Sequence, residues 1–396
     1  MTETHRTTPP EPQTRKDLPI VVAGHVCLDV IPTFQRSADS LGELLVPGKL
    51  VDVGPAVLAT GGAVANTGGA LHRLGATVRL VGKLGQDAFG DAVCALLRKE
   101  GGHLADHMVR DAESATSYSI VINPPGIDRV FLHCPGANDS FGAEDLPQQV
   151  LEKAGLLHFG YPPLMRRFYS DGGEELERLM ARARAAGLTT SLDMALPDPE
   201  SPSGQADWAA ILRRILPLVD VFVPSLDEIA FMLMGPLQSR RVREAAAAGE
   251  PLGGLKPDDI RRLAHRLLDL GAAVVMLKLG RQGATLHATR DKDRLLSAGV
   301  CAPDPGNWSG AELHAACFRT IVAGTTGAGD CSIAGFLAAV MRGDGPEDAL
   351  RAAVATGAAS VEQPEATTGV PHWSVLAERL ANGWKREPSV YFPHSI

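Results

Sequence analysis

Short apolar runs recur along the chain, and the segments between them return their apolar residues every three or four positions. Residues 20–23 (IVVA), 78–81 (VRLV), 156–159 (LLHF), 190–193 (TSLD), 221–223 (VFV) and 273–277 (AVVML) are compact runs of strand length, the mark of strands covered on both faces. Helical periodicity fills the gaps, most clearly at 259–270, where Ile260, Leu263, Ala264 and Leu267 share one face. A helix opened by 61–66 and running through 74, and helices over 92–100 and 174–186, are each followed by a glycine, Gly75, Gly101 or Gly187, where a left-handed C-cap belongs. Further helices are expected over 208–216, from Ser225 onward, over 330–342, 346–362 and 373–381. Such alternation needs right-handed crossovers and predicts an α/β fold, doubly wound around a mostly parallel central sheet flanked by helices.

Two stretches break the rhythm. Residues 32–60 carry glycine, proline and short apolar pieces, which read as irregular strands leaving the main body. Residues 117–122 and 130–133 flank a Pro-Pro-Gly-x-Asp turn and predict an antiparallel hairpin. Together they predict a small β-sheet lid drawn from about 30–60 and 115–134. Residues 28–30 read as a continuation of the first strand, with Asp29 near its C-terminal end, where ligands of open α/β sheets gather. The Arg- and Ala-rich stretch 235–257 reads as a solvated insertion, and 289–317 as surface excursions. One domain over 20–385 then lies between a polar, disordered tail (1–19) and a short C-terminal tail (386–396).

Composition narrows the partners. A formal charge of -8 leaves no basic footprint for nucleic acid, so a phosphorylated ligand would rely on local amides or Mg²⁺. Six cysteines without a Cys-x-x-Cys pair suit buried thiols in a reducing compartment, and no run is long and apolar enough to span a bilayer, so a cytoplasmic protein is expected.

The chemistry concentrates at 324–342, GTTGAGDCSIAGFLAAVMR. A helix start leaves backbone N–H groups without partners, and the small residues Gly327, Ala328 and Gly329 let an anion approach them closely. Thr325 or Thr326 can cap the helix, and Asp330 falls in its first turn. A carboxylate beside an anion hole suits a general base that deprotonates an alcohol while the amides hold the phosphoryl group under attack. The same run also reads as a Gly-rich helix entry that happens to carry an acidic residue. Elsewhere, Gly61 and Gly62 open a helix bearing Asn66, Ser225 and Glu228 form a capping-box pattern, and Lys278-Leu279-Gly280-Arg281-Gln282-Gly283 turns at a strand end, where its glycines can admit a nucleotide or simply make the turn.

Three separated motifs, Gly61-Gly62 to Asn66 with Gly75 and 82–90, Gly280-x-x-Gly283, and Thr325-Thr326-Gly327-Ala328-Gly329-Asp330, occur in the order and spacing of the ribokinase-like (PfkB) carbohydrate kinases, which the chain resembles from residue 20 to about 381. The resemblance implies ATP as phosphoryl donor, Mg²⁺, and an acceptor alcohol on a sugar, sugar acid, polyol or nucleoside. It implies Asp330 as base and Gly327, Ala328 and Gly329 as anion hole. Asp29, Gly61, Gly62 and Asn66 match sugar-contacting positions, and Arg129 and Asn138 match lid and lid-adjacent ones. Lys278, Gly280, Gly283 and Thr326 fall to the nucleotide, and Glu228 to Mg²⁺ through water.

Two departures stand out. Gly324 replaces the aspartate that helps hold a monovalent cation in relatives, so K⁺ activation is not implied, and Ser225 replaces the asparagine of an Asn-x-x-Glu pattern. Ala63, where ribokinase itself has lysine, is closer to the fructokinase and ketodeoxygluconate kinase side. A Rossmann oxidoreductase would need Gly-x-Gly-x-x-Gly after a strand and a P-loop kinase Gly-x-x-x-x-Gly-Lys-Ser/Thr, and neither is present. A nucleoside kinase of the same fold and a catalytically weak, sugar-sensing member remain as alternatives. Exposed lid-strand edges admit pairing into a homodimer.

Overall fold

A computed structural model describes residues 14–396 apart from 36–39, 127–129, 249, 251, 390 and 393. Its strands are β1 (Ile20–Gly24), β2 (Cys27–Pro32), β3 (Ala56–Gly61), β4 (Val78–Val81), β5 (Lys83–Gly85), β6 (Val109–Asp111), β7 (Tyr118–Ile122), β8 (Val130–Cys134), β9 (Leu156–Gly160), β10 (Thr189–Leu192), β11 (Val221–Phe222), β12 (Val274–Lys278), β13 (Ala284–Ala288) and β14 (Glu312–Ala315). Eight form the central sheet in the order β14-β13-β12-β11-β10-β9-β1-β4. It is parallel from β4 to β12, and β13 and β14 add antiparallel at one edge.

The pattern of the sequence explains this layering. Ile20 and Val22 point into one core and Val21 and Ala23 into another, and Val274 and Met276 oppose Val275 and Leu277 in the same way. Helices Ala63–Arg73, Ala328–Arg342 and Pro346–Ser360 cover the first face. Helices Glu174–Ala185, Trp208–Ile215, Leu226–Met234 and Pro257–Asp269 cover the second. A strand apolar on both sides has no stable position except between two such layers.

The lid is a second sheet, β3-β2-β7-β8. The expected hairpin is there, with β7 and β8 antiparallel. Residues 28–30, however, do not extend β1. Gly24 takes φ +128° against the Gly160 carbonyl, where a Cβ would lie 2.3 Å from the oxygen. Asn138 then clamps the turn, its Oδ1 accepting from Val26 N at 3.2 Å and its Nδ2 donating to Val26 O at 3.0 Å. The chain therefore leaves the central sheet before β2 begins, and Asp29 belongs to the lid, paired with Ala59 and Ser119.

Three further expectations change. The stretch expected as a solvated insertion contains a helix, Pro236–Ala248, that packs on Leu226–Met234 and buries Val242 and Ala245, and Leu252 and Leu255 beyond its end are buried as well. Its few apolar residues carry the packing, while Arg and Ala dominate the count. Residues 289–317 hold two short helices, buried Leu295, Cys301 and Trp308, and the edge strand β14. The C-terminal segment straps this edge: Glu387 N donates to Cys317 O at 2.8 Å, Ile396 N to His314 O at 2.9 Å, and Phe392 stacks on His314 with ring centres 3.8 Å apart.

Candidate active site

Asp330 lies in the first turn of the Ala328–Arg342 helix, and no side chain caps that helix. Gly327, at φ +70°, turns the chain into it with its α-carbon against Ala366, where a Cβ would lie 2.7 Å from that residue's Cβ. Of the first N–H groups, that of Ala328 donates weakly to Thr325 O at 3.4 Å, and those that follow it in the first turn are positioned for a ligand. The carboxylate is 4% exposed and held by three neutral donors. Tyr161 OH reaches Oδ1 and Oδ2 at 2.8 and 2.9 Å, Asn66 Nδ2 reaches Oδ2 at 3.1 Å, and Thr67 Oγ1 reaches Oδ1 at 3.2 Å. Burial pushes the Asp330 carboxyl above the ordinary range, opposed by Lys278 and then by these hydrogen bonds. A carboxylate fixed in direction and raised in basicity is suited to receiving a proton.

Beside it lies a cluster of buried charge. Lys278 Nζ meets Asp193 Oδ1 at 2.7 Å. Burial alone would lower the Lys278 ammonium; the surrounding carboxylates, Asp193 and then Glu228, outweigh it and hold its pKa above the usual lysine value. Burial likewise pushes Asp193 and Glu228 upward. Glu228 closes the expected capping box, its Oε2 accepting from Ser225 N at 2.7 Å. One ammonium faces three acids, so the site carries a surplus of hard, anionic oxygen suited to a divalent cation. Lys278 also lies over the helix start, its Nζ 3.9 Å from where a Gly329 Cβ would be.

Two cavities meet here. One, of about 520 Å³, is lined by Lys278, Gly280, Glu228 and Ala328 among others, and the second, of about 1260 Å³ under the lid, by Asp29, Gly62, Asn66 and His133 among others. Tyr161, Thr325, Gly327 and Asp330 line both. A site that must bring two reactants to one proton acceptor needs such a shared wall.

A family profile for the pfkB family of carbohydrate kinases matches residues 18–373. The chain belongs to that family. Among its relatives, an uncharacterized sugar kinase of Archaeoglobus fulgidus is 24% identical over 74% of this chain and 94% of its own length. A probable fructokinase-5 of Arabidopsis thaliana is 24% identical over 89% of this chain and 94% of its own. The fold is ribokinase-like: the solved structure of Arabidopsis thaliana ribokinase complexed with ribose and ATP matches with a TM-score of 0.67, at 18% identity over 92% of this chain and 98% of that one.

In this pfkB carbohydrate kinase the residues expected at the site separate into groups. Asp330, Gly327, Ala328, Gly329, Lys278, Gly280 and Glu228 gather on the smaller cavity. Asp29, Gly62 and Asn66 line the larger one, and Gly61 supports it, since a Cβ there would lie 2.5 Å from the Asp29 carboxylate. Thr326, expected on the nucleotide side, lines the lid cavity instead, because the chain reverses at Gly327. Gly283 lines neither; its place is the β12–β13 turn, where a Cβ would strike the Ala315 carbonyl at 1.9 Å. Asn138 also lines neither, both ends of its amide being engaged by Val26. Arg129 lies outside the described residues.

Tyr161, Thr67, Asp193, His25 and His133 went unforeseen. Asp193 follows β10 directly, so the strand-end rule that singled out Asp29 reaches it as well. Tyr161 sits at φ +67°, a left-handed conformation uncommon for a side chain of its size, and nothing local in the sequence announces that. His25 and His133 approach at 3.4 Å between Nε2 atoms on the lid cavity. Burial drives His25 down to about 3 and lowers His133 as well, so the pair is neutral, with His133 Nδ1 meeting Ser119 Oγ at 3.0 Å.

Proposed function

We propose that this kinase moves the γ-phosphate of ATP to a hydroxyl of a small sugar or sugar-like alcohol. The observation that carries the reading is the position of Asp330 on the wall common to both cavities. ATP occupies the smaller cavity with its terminal phosphate toward the Gly327–Gly329 amides and Lys278. The acceptor lies beneath the lid against Asp29, Asn66 and the neutral His25–His133 pair. Asp330 takes the proton of the attacking hydroxyl, Tyr161, Asn66 and Thr67 hold the carboxylate in place, and the positive helix end and Lys278 stabilise charge on the transferring group. Mg²⁺ fits the carboxylate surplus; Glu228 and Asp193 would hold it, and it would neutralise phosphate charge when bound. Lid closure over the acceptor excludes water.

The donors for a monovalent cation fit poorly. Gly324 offers no carboxylate, and a Cβ there would lie 2.8 Å from the Pro364 carbonyl, so equal rates in K⁺ and tetramethylammonium salts are expected. The lid cavity exceeds what a single monosaccharide fills, and Ile120, Phe131 and Leu132 line it, which favours including nucleosides as a second acceptor class. The deciding experiment is a coupled assay of acceptor-dependent ADP release over sugars, sugar acids, polyols and nucleosides. Binding of an acceptor without ADP release in the whole panel would make this a sensing member instead. We place the protein in the cytoplasm. We also propose a homodimer through the lid, whose Val57 and Leu58 are about half exposed; a monomeric mass by light scattering would remove the dimer.

A further inference from the structure

A second cluster of ligand-type side chains lies away from both cavities, where the β13–β14 edge meets the Pro257–Asp269 helix. His287 on β13 and Glu312 on β14 are direct cross-strand partners. His265 reaches them from the helix, and one ligand atom from each of the three lies within 4.8 Å of the others. His265 Nε2 and Glu312 Oε1 are already 3.0 Å apart. An exposed His–Glu pair alone would be an ordinary surface contact of little worth.

His287 makes the difference. It is 5% exposed, and its Nδ1 is buried with no hydrogen-bond partner. Two residues along the same strand face, Thr285 Oγ1 is buried and unpartnered too. Both line an open cavity of about 320 Å³ that the helix start and Tyr391 and Phe392 of the C-terminal strap border. Buried polar atoms are normally satisfied, so two unpartnered ones on neighbouring residues that border one cavity mark a place where polar partners are missing.

We propose that His265, His287 and Glu312 form a site for Zn²⁺ or a similar borderline divalent cation. Two imidazoles and one carboxylate are a zinc donor set, and a tetrahedral ion with bonds near 2.0–2.1 Å needs its ligand atoms about 3.3 Å apart. The His265–Glu312 pair is already near that spacing, both side chains are partly exposed, and the His265 ring meets that of His287 edge-on with centres 5.8 Å apart. Arg261, which borders the same cavity, is paired with Asp258 at 3.0 Å. A fourth position would fall to water. The ion would tie the helix to the sheet edge, a structural role separate from phosphoryl transfer.

The test is titration of the full, tag-free chain with Co²⁺ followed by visible absorption, in excess Mg²⁺ to fill the nucleotide side, with Zn²⁺ as competitor. The expected result is one tetrahedral Co²⁺ per chain, displaced by Zn²⁺. His265→Ala and Glu312→Gln alter partly exposed groups and should fold normally, and each should weaken uptake by more than the roughly 10–100-fold that loss of a mere supporting residue costs. ADP release by the same variants should match wild type. No tetrahedral absorption, or a loss under tenfold in both variants, overturns the site.

Discussion

At the scale of single residues the central feature is a buried acid that must stay ionised to work. Asp330→Asn removes the proton acceptor and should lower kcat by about 10²–10⁴-fold. Folding raises the Asp330 pKa, so the ionised group costs stability at neutral pH, a cost relieved as pH falls through the folded value. The asparagine variant should therefore show a Tm no lower than wild type at pH 7.5 by scanning calorimetry. Tyr161 works on the same atom with the opposite sign. Its hydroxyl donates to both carboxylate oxygens and pulls the pKa down. Tyr161→Phe should leave Asp330 more basic, so the acid limb of kcat/KM moves to higher pH; an unmoved or lowered limb would remove Tyr161 from the site.

Elements decide where those residues stand. The Ala63–Arg73 and Ala328–Arg342 helices start on the same side of the sheet, and that is why Asn66 and Thr67 can reach Asp330 across more than 260 positions of sequence. Gly61 ends β3 against β2, and its missing side chain leaves room for the Asp29 carboxylate. Gly61→Ala should push that carboxylate aside and raise the acceptor KM several-fold while the ATP KM holds. An equal rise in both constants would show that the lid and nucleotide sides are not separable in this way. The helix Pro236–Ala248 shows how element content can mislead: its charged, alanine-rich surface suggested solvent, yet Val242 packs inward and lines the smaller cavity.

For the whole molecule, the two core layers fix the sheet, the sheet fixes the strand ends, and the lid closes over one end of it. The C-terminal strap adds to this frame. Ser395 Oγ accepts from Ala316 N at 2.8 Å, and Phe392 stacks on His314. Deleting residues 391–396 should destabilise the protein by about 1–2 kcal/mol, read as a lower denaturation midpoint, because a stacked pair and a few edge hydrogen bonds are worth that much. Turnover per folded molecule should hold, since the smaller cavity draws on Glu387 and Pro388, which the deletion keeps. A denaturation midpoint equal to wild type would show that the edge does not depend on the strap.

The buried strands, the lid hairpin and the Asp330 helix were legible because each is a local pattern: an apolar run, a turn flanked by alternating residues, glycines before an acid. Asp193 was legible in principle by the same strand-end rule. What lay beyond reach depends on chain direction and on register. Asp29 was placed on the first strand because only the pivot at Gly24 and the Asn138 clamp send it into another sheet. Tyr161 reaches Asp330 only because the backbone after β9 turns left-handed, and His287 meets Glu312 only because two antiparallel strands set that register. Sequence by itself determined which segments are strands or helices and which residue types can carry a proton or a phosphate. Tertiary structure alone decided which of them meet, since a contact between distant positions is fixed by packing and pairing that no local pattern encodes.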